Sequence, residues 1–228
     1  MGTSRAAREQ LDRELNSQRQ IKQVDLNNIS AIVLAAGRSR RMGAFKPLLH
    51  FGNRTVIESC ISNLRAAQIE EIIVVVGHRA EDVREHLRTL DVGFAVNPDP
   101  DSEMGSSIAR GVEQVKPEAL ALVIALVDHP AVSAETINVL IDEWRRGARL
   151  VQPEYEGRGG HPVLIDLAYR DELLVLDRES GLRALFAAHC DQVKRVPVAS
   201  PYVARDMDTW EDYRRLHFDV FGEAPAQN

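Results

Sequence analysis

The sequence predicts a single α/β domain built on a mostly parallel sheet, and three observations carry that prediction. Short apolar runs recur without the apolar/polar alternation of a half-exposed strand, as expected of strands covered on both faces. Between them lie segments with apolar residues at helical spacing. Strand and helix alternate at intervals of roughly thirty residues, the pattern of right-handed βαβ crossovers. A chain of 228 residues suits one such domain with a sizeable core.

Each element has its own signal. Residues 1–28 are rich in Arg, Glu, Gln and Asn and poor in large apolar side chains, and read as a charged, mobile appendage. Ala31–Ala36 is the first buried strand. Thr55–Ala67 places Val56, Ile57, Cys60, Ile61 and Leu64 on one helix face. Glu71–Gly77 is a second strand, Ala80–Leu90 a second helix and Val92–Val96 a third strand. Met104–Val115 reads as helix and Leu120–Val127 as a fourth apolar strand. Short strands at Leu150–Gln152 and Val163–Ile165 flank a glycine-rich loop. A last helix begins after Asp208-Thr209 and buries Trp210, Tyr213 and Leu216. The domain body spans 29–217, and 218–228 form a tail.

Composition narrows the function classes. A formal charge of −6 argues against a protein that coats nucleic acid, so an anionic small substrate requires a local basic cluster. Arg38, Arg40, Arg41 and Lys46 supply one. No apolar run approaches the length of a membrane span and no signal-peptide core is present. Two cysteines, Cys60 and Cys190, are too few for a disulfide framework and read as reduced thiols, which points to the cytoplasm.

The chemistry concentrates where the first strand ends. After Leu34-Ala35-Ala36, Gly37 opens a polar turn whose amides can approach an anion without Cβ atoms in the way. Arginine adds a planar fork for phosphate oxygens and lysine a point charge. The loop has neither the Gly-Lys-Ser/Thr of a Walker motif nor the Gly-x-Gly-x-x-Gly of a dinucleotide loop.

The unbroken pattern Leu-Ala-Ala-Gly-x-Ser-x-Arg-Met-Gly-x-x-Lys-x-Leu-Leu over residues 34–49 resembles the signature loop of the MobA-like nucleotidyltransferases, most closely the molybdenum cofactor cytidylyltransferases. The resemblance covers residues 30–217 and implies a Rossmann-like three-layer sandwich of the nucleotide-diphospho-sugar transferase kind. It implies that Leu34, Ala35, Ala36, Gly37, Arg38 and Ser39 wrap a nucleoside triphosphate, with Arg41 and Lys46 on its phosphates.

Four further segments match, each at a strand end, where ligands bind in such sheets. Asn97-Pro98-Asp99 with Met104-Gly105-Ser106-Ser107 matches a segment beside the nucleotide. Read from residues alone it is a helix start with free amides and hydroxyls; the match brings Asn97, Ser106 and Ser107 to the ligand. Asp128-His129-Pro130 resembles the family's Asp-x-Pro, whose aspartate holds a metal. An Asx-turn is the competing reading of the aspartate, and His129 replaces a glutamine often found there. Gly157–Val163 matches Gly-x-x-Gly-His-Pro on the acceptor side, implying substrate contacts from Arg158, Gly160, His161 and Pro162, against a plain hairpin. Ala204–Tyr213 resembles Asp-x-Asp-Thr-Pro-Glu-Asp-Tyr, which assigns the second metal ligand to Asp208, with Asp206 as fallback.

One segment departs from the pattern. Asp177–Arg183 stands where the cytidylyltransferases carry Gly-Asp-x-Gly-Ala-Arg, keeping Arg183 as a substrate contact but leaving the acceptor open. The resemblance implies a nucleotidyltransferase using Mg2+ and, through Ala36, CTP rather than GTP. The implied acceptor is a phosphorylated molybdopterin-type cofactor, with a molybdoenzyme or its maturation chaperone as partner. A sugar or alcohol phosphate is the alternative acceptor, and a nucleotide-binding regulator without turnover the alternative class.

Overall fold

The computed structural model describes residues 28–39, 41–99, 103–176 and 180–225. The appendage expected over 1–28, Arg40 and residues 177–179 of the departing segment fall outside the described residues, apart from Asn28.

The strands are β1 (Ile29–Ala35), β2 (His50–Phe51), β3 (Arg54–Thr55), β4 (Glu71–Val76), β5 (Gly93–Val96), β6 (Ala121–Leu126), β7 (Leu150–Tyr155), β8 (Arg158–Gly159), β9 (Val163–Asp166) and β10 (Val193–Pro197). The helices are α1 (Val56–Ala66), α2 (Ala80–His86), α3 (Met104–Gln114), α4 (Ala134–Arg145), α5 (Arg170–Leu174), α6 (Leu182–Ala188) and α7 (Trp210–Phe221). The main sheet runs β10-β7-β9-β6-β1-β4-β5, with β8 paired to β7. Every pair on the main path is parallel except the two made by β9, which lies antiparallel to both β6 and β7.

β1 is buried along its whole length and alternates between two cores. Ala31, Val33 and Ala35 pack with Ile57, Cys60 and Ile61 of α1, Val83 of α2, Ile137 and Leu140 of α4, and Tyr213 and Leu216 of α7. Ile32 and Leu34 face the other way, toward Ile108 and Val112 of α3, Leu173 of α5 and Leu185 of α6. Helices on both faces give the three layers, which is why β1 lacks polar alternation. A charge placed at Val33, fully buried, would cost several kcal/mol.

β1 is also where the topology turns. β4 and β5 are added on one side of it and β6 on the other, so the crevice between the carboxyl ends of β1 and β6 is the position where such sheets accept ligands. The β6–α4–β7 crossover leaves a gap that β9 fills, returning from β7 through a tight β7–β8 hairpin. Positive φ angles at Glu156 (49°) and Gly157 (78°) suit a two-residue turn of the type that matches strand twist.

Two expectations are corrected. Trp210 is exposed rather than buried, because Tyr213, Leu216 and His217 form the inward face of α7. That helix also continues past residue 217 to Phe221, whose ring stands 4.9 Å from that of Phe51, while Gly222 closes it with φ 75°. Its last turn is exposed but touches the body through Phe221.

Candidate active site

The loop after β1 is pinned rather than free. Ser39 takes a positive φ of 50°, and its carbonyl accepts from the Met42 and Gly43 amides. Met42 is buried, which turns Arg41 outward. Phe45 then lies under Arg79, whose guanidinium carbon is 4.6 Å from the ring centroid. Lys46 starts a short 3-10 turn with Pro47 behind it and is itself buried.

Asp128 leaves the end of β6, and Asp208 comes from the turn before α7. Thr209 caps that helix in a reciprocal capping box with Asp212, so the Asp208 carboxylate is spared the capping role. Lys46 Nζ donates to Asp208 Oδ1 at 2.7 Å and stands 3.9 Å from Asp128 Oδ2. Arg41 bonds the other Asp208 oxygen. The four residues thus form one cluster of two cations and two carboxylates. Asp206 is exposed and apart from it.

A cleft of about 680 Å³ opens over this cluster. Of the residues read from the sequence, Leu34, Ala36, Gly37, Arg38, Ser39, Arg41, Lys46, Ser107, Asp128 and Asp208 line it. Ala35 does not, because β1 alternation sends it into the core. Ser106 stays outside: the helix starts at Met104, which puts Ser107 rather than Ser106 on the cleft side. Asn97 is buried behind the wall, where its amide donates to Ser107 Oγ at 2.9 Å and its carbonyl oxygen accepts from the Asp99 amide at 3.3 Å.

The acceptor-side set lies elsewhere. Arg158, on the exposed β8, and Arg183, on the exposed side of α6, do not line the cleft. Gly160 is pressed against Val203, and Pro162 walls a small apolar cavity with Cys60 and His129. The ring of His161 lies 5.8 Å from that of His129, and burial, followed by His129, pushes its pKa down to about 4. Asp99 and Met104, which enter the sequence reading only as parts of a motif, and Glu103 also line the cleft; they follow the same strand end as Asn97.

Asp128 sets the fit for a metal ion. Burial pushes its carboxyl above the usual carboxylate range, Asp208 adds to this, and His129 and Lys46 oppose it. Its Oδ1 atom is buried without a hydrogen-bond partner, a costly state for a carboxylate oxygen. Among the described residues no group of three or more His, Cys, Asp and Glu could hold an ion. Two carboxylates are nevertheless what Mg2+ takes in nucleotide sites, where phosphate oxygens and water complete the shell. The residues fit an ion that arrives with the triphosphate, not a resident one.

Residues 31–193 match the MobA-like NTP transferase domain. The chain belongs to that family. This MobA-like protein is a nucleotidyltransferase, and its sheet and flanking helices have the nucleotide-diphospho-sugar transferase fold. It is 28% identical over 201 residues to the nicotine blue oxidoreductase of Paenarthrobacter nicotinovorans, covering 84% of this chain and 98% of that one. It is 25% identical over 193 residues to the molybdenum cofactor cytidylyltransferase of Escherichia coli K12, covering 82% and 95%. Rv0371c of Mycobacterium tuberculosis superposes with a TM-score of 0.76 at 28% identity, covering 85% of this MobA-like chain and 99% of its own. The same mycobacterial protein has been solved in complex with manganese (TM-score 0.72, 28% identity, 83% and 97% covered).

Proposed function

We propose that this MobA-like nucleotidyltransferase moves CMP from CTP onto a phosphorylated acceptor of the molybdopterin type, releasing pyrophosphate. The observation that carries the reading is the convergence of Arg41, Lys46, Asp128 and Asp208 beside the Gly37 loop in one cleft.

A phosphate oxygen of the acceptor attacks the α-phosphorus, the new P–O bond forms, and the bond to the β-phosphate oxygen breaks with its electron pair leaving on pyrophosphate. The acceptor is already anionic, so the step needs positioning and charge neutralisation rather than a strong base. Arg41 and Lys46 hold the triphosphate and absorb the charge that moves onto the leaving group. Asp128 and Asp208 hold Mg2+, which when bound screens the charge on the reacting phosphates. Leu34, Ala36 and the exposed Met104 offer apolar walls to base and ribose.

The reading is supported by the 34–49 pattern and by similarity to a molybdenum cofactor cytidylyltransferase and to a manganese-bound structure. It is tested by pyrophosphate release with CTP, GTP, ATP and UTP, with Mg2+ or Mn2+, in the presence and absence of molybdopterin. CTP turnover that requires molybdopterin is expected. Turnover only with a sugar or alcohol phosphate would replace the acceptor, and GTP preference would replace the nucleotide.

A further inference from the structure

The turn that delivers Asp208 to the cleft is held at its far end by Gly160, expected from the resemblance to touch substrate, and by His129, to which the resemblance gives no role. A Cβ built on Gly160 would lie 2.1 Å from the Val203 carbonyl oxygen and 2.5 Å from its carbon, so only glycine permits this approach. The same carbonyl accepts from the His161 amide at 2.8 Å, and the Gly160 amide donates to Pro153 O at 2.8 Å. One residue earlier, the Tyr202 carbonyl meets His129 Nδ1 at 3.1 Å. A carbonyl only accepts, so Nδ1 carries the hydrogen. Val203 and Met207 are fully buried on either side of the intervening chain, and Asp208 follows directly. His129 follows Asp128 just as directly, so one pair of adjacent residues places the first aspartate and ties down the turn carrying the second.

We propose that Gly160 and His129 are positioning residues of the transfer site: they clasp the Pro201–Ala204 turn to the ends of β6 and β7 so that Asp208 stands opposite Asp128. The inference rests on reading the two aspartates as one centre. It gives Gly160 a packing role in place of the substrate contact expected from sequence, and it gives His129 a role in place of the family's glutamine.

The test uses Gly160→Ala, His129→Leu and His129→Asn in the full chain. Asparagine sets an amide donor as many bonds from Cα as Nδ1, so it preserves the tie to Tyr202 that leucine removes. Gly160→Ala and His129→Leu should speed amide exchange at His161 and across 201–208 while leaving β1 and β4 protected. Both should lower kcat about 10- to 100-fold, the scale of a 1 Å misplacement, with the triphosphate KM nearly unchanged. His129→Asn should recover most of both. If Gly160→Ala fails to fold, the His129 pair carries the test alone. Wild-type exchange and kcat in His129→Leu, or an asparagine variant as impaired as leucine, overturns the proposal. A loosened turn with full turnover overturns it too; Asp208→Ala then assigns the fault, since a fully active Asp208→Ala would condemn the reading of the aspartates and an inactive one the clasp.

Discussion

Lys46 donates to Asp208 at 2.7 Å, joining the loop after β1 to a turn 162 positions further along the chain. The lysine side chain is only 8% exposed and also faces Asp128 at 3.9 Å, so its ammonium stands between the two carboxylates. Two carboxylates this close repel unless a cation separates them. On the proposed reading, Asp128 and Asp208 would hold the ion brought by the triphosphate, which would neutralise them and free Lys46 to turn to the phosphates.

Lys46→Ala should accordingly weaken triphosphate use. Charge-assisted phosphate contacts are worth roughly 1.5–3 kcal/mol, so kcat/KM for the triphosphate should fall at least about tenfold, and Arg41→Ala should act in the same direction. Steady-state pyrophosphate release measures both. Wild-type kinetics in the two variants would remove the phosphate-loop assignment.

Ala36 lines the cleft beside Leu34. If Ala36 narrows the base site as the proposed function requires, CTP should outcompete GTP in a mixed reaction, and Ala36→Gly should shift the ratio toward GTP. Equal ratios in the two proteins would show that the base is chosen elsewhere on the wall.

Acid should destabilise the fold through His161. Burial holds its pKa near 4, below the ordinary 6.5, so the unfolded chain binds the proton more readily. Its contribution is fully present above pH 6.5 and lost as pH falls toward 4, up to about 3 kcal/mol by the usual conversion. Asp128, whose carboxyl is shifted upward, runs the opposite way, losing stability as pH rises through its folded pKa. The difference in unfolding free energy between wild type and His161→Phe isolates the histidine. A pH-independent difference between pH 4 and 7 contradicts the assignment.

Much of this was legible in the sequence because it is local. The apolar run Ala31–Ala36, Gly37 and the spaced cations at 41 and 46 announce a strand and an anion loop without reference to anything distant. Thr209 likewise announces a helix start that the capping box bears out. Helix α4, absent from the elements expected above, carries signals of its own, with Ser133 as its cap and Ile137, Leu140, Ile141 and Trp144 on one face.

What was not legible depends on pairing across the fold. The antiparallel β9 reads as a short apolar strand like the others; only the gap between β6 and β7 fixes its direction. Trp210 looks like a core residue until Tyr213 and His217 set the helix phase. The close approach of Gly160 to Val203 joins segments distant in the chain, and no local pattern announces it. Ser106 and Ser107 differ only by one residue of helix rotation, which the sequence does not resolve.

The most direct test of the central claim is a double-mutant cycle on Asp128 and Asp208, read as kcat for nucleotidyl transfer. Each alanine variant should abolish most turnover, Asp206→Ala should be mild, and the double variant should be little worse than either single one, because both losses destroy one site. If the two losses instead multiply, the aspartates act independently and the shared centre is wrong.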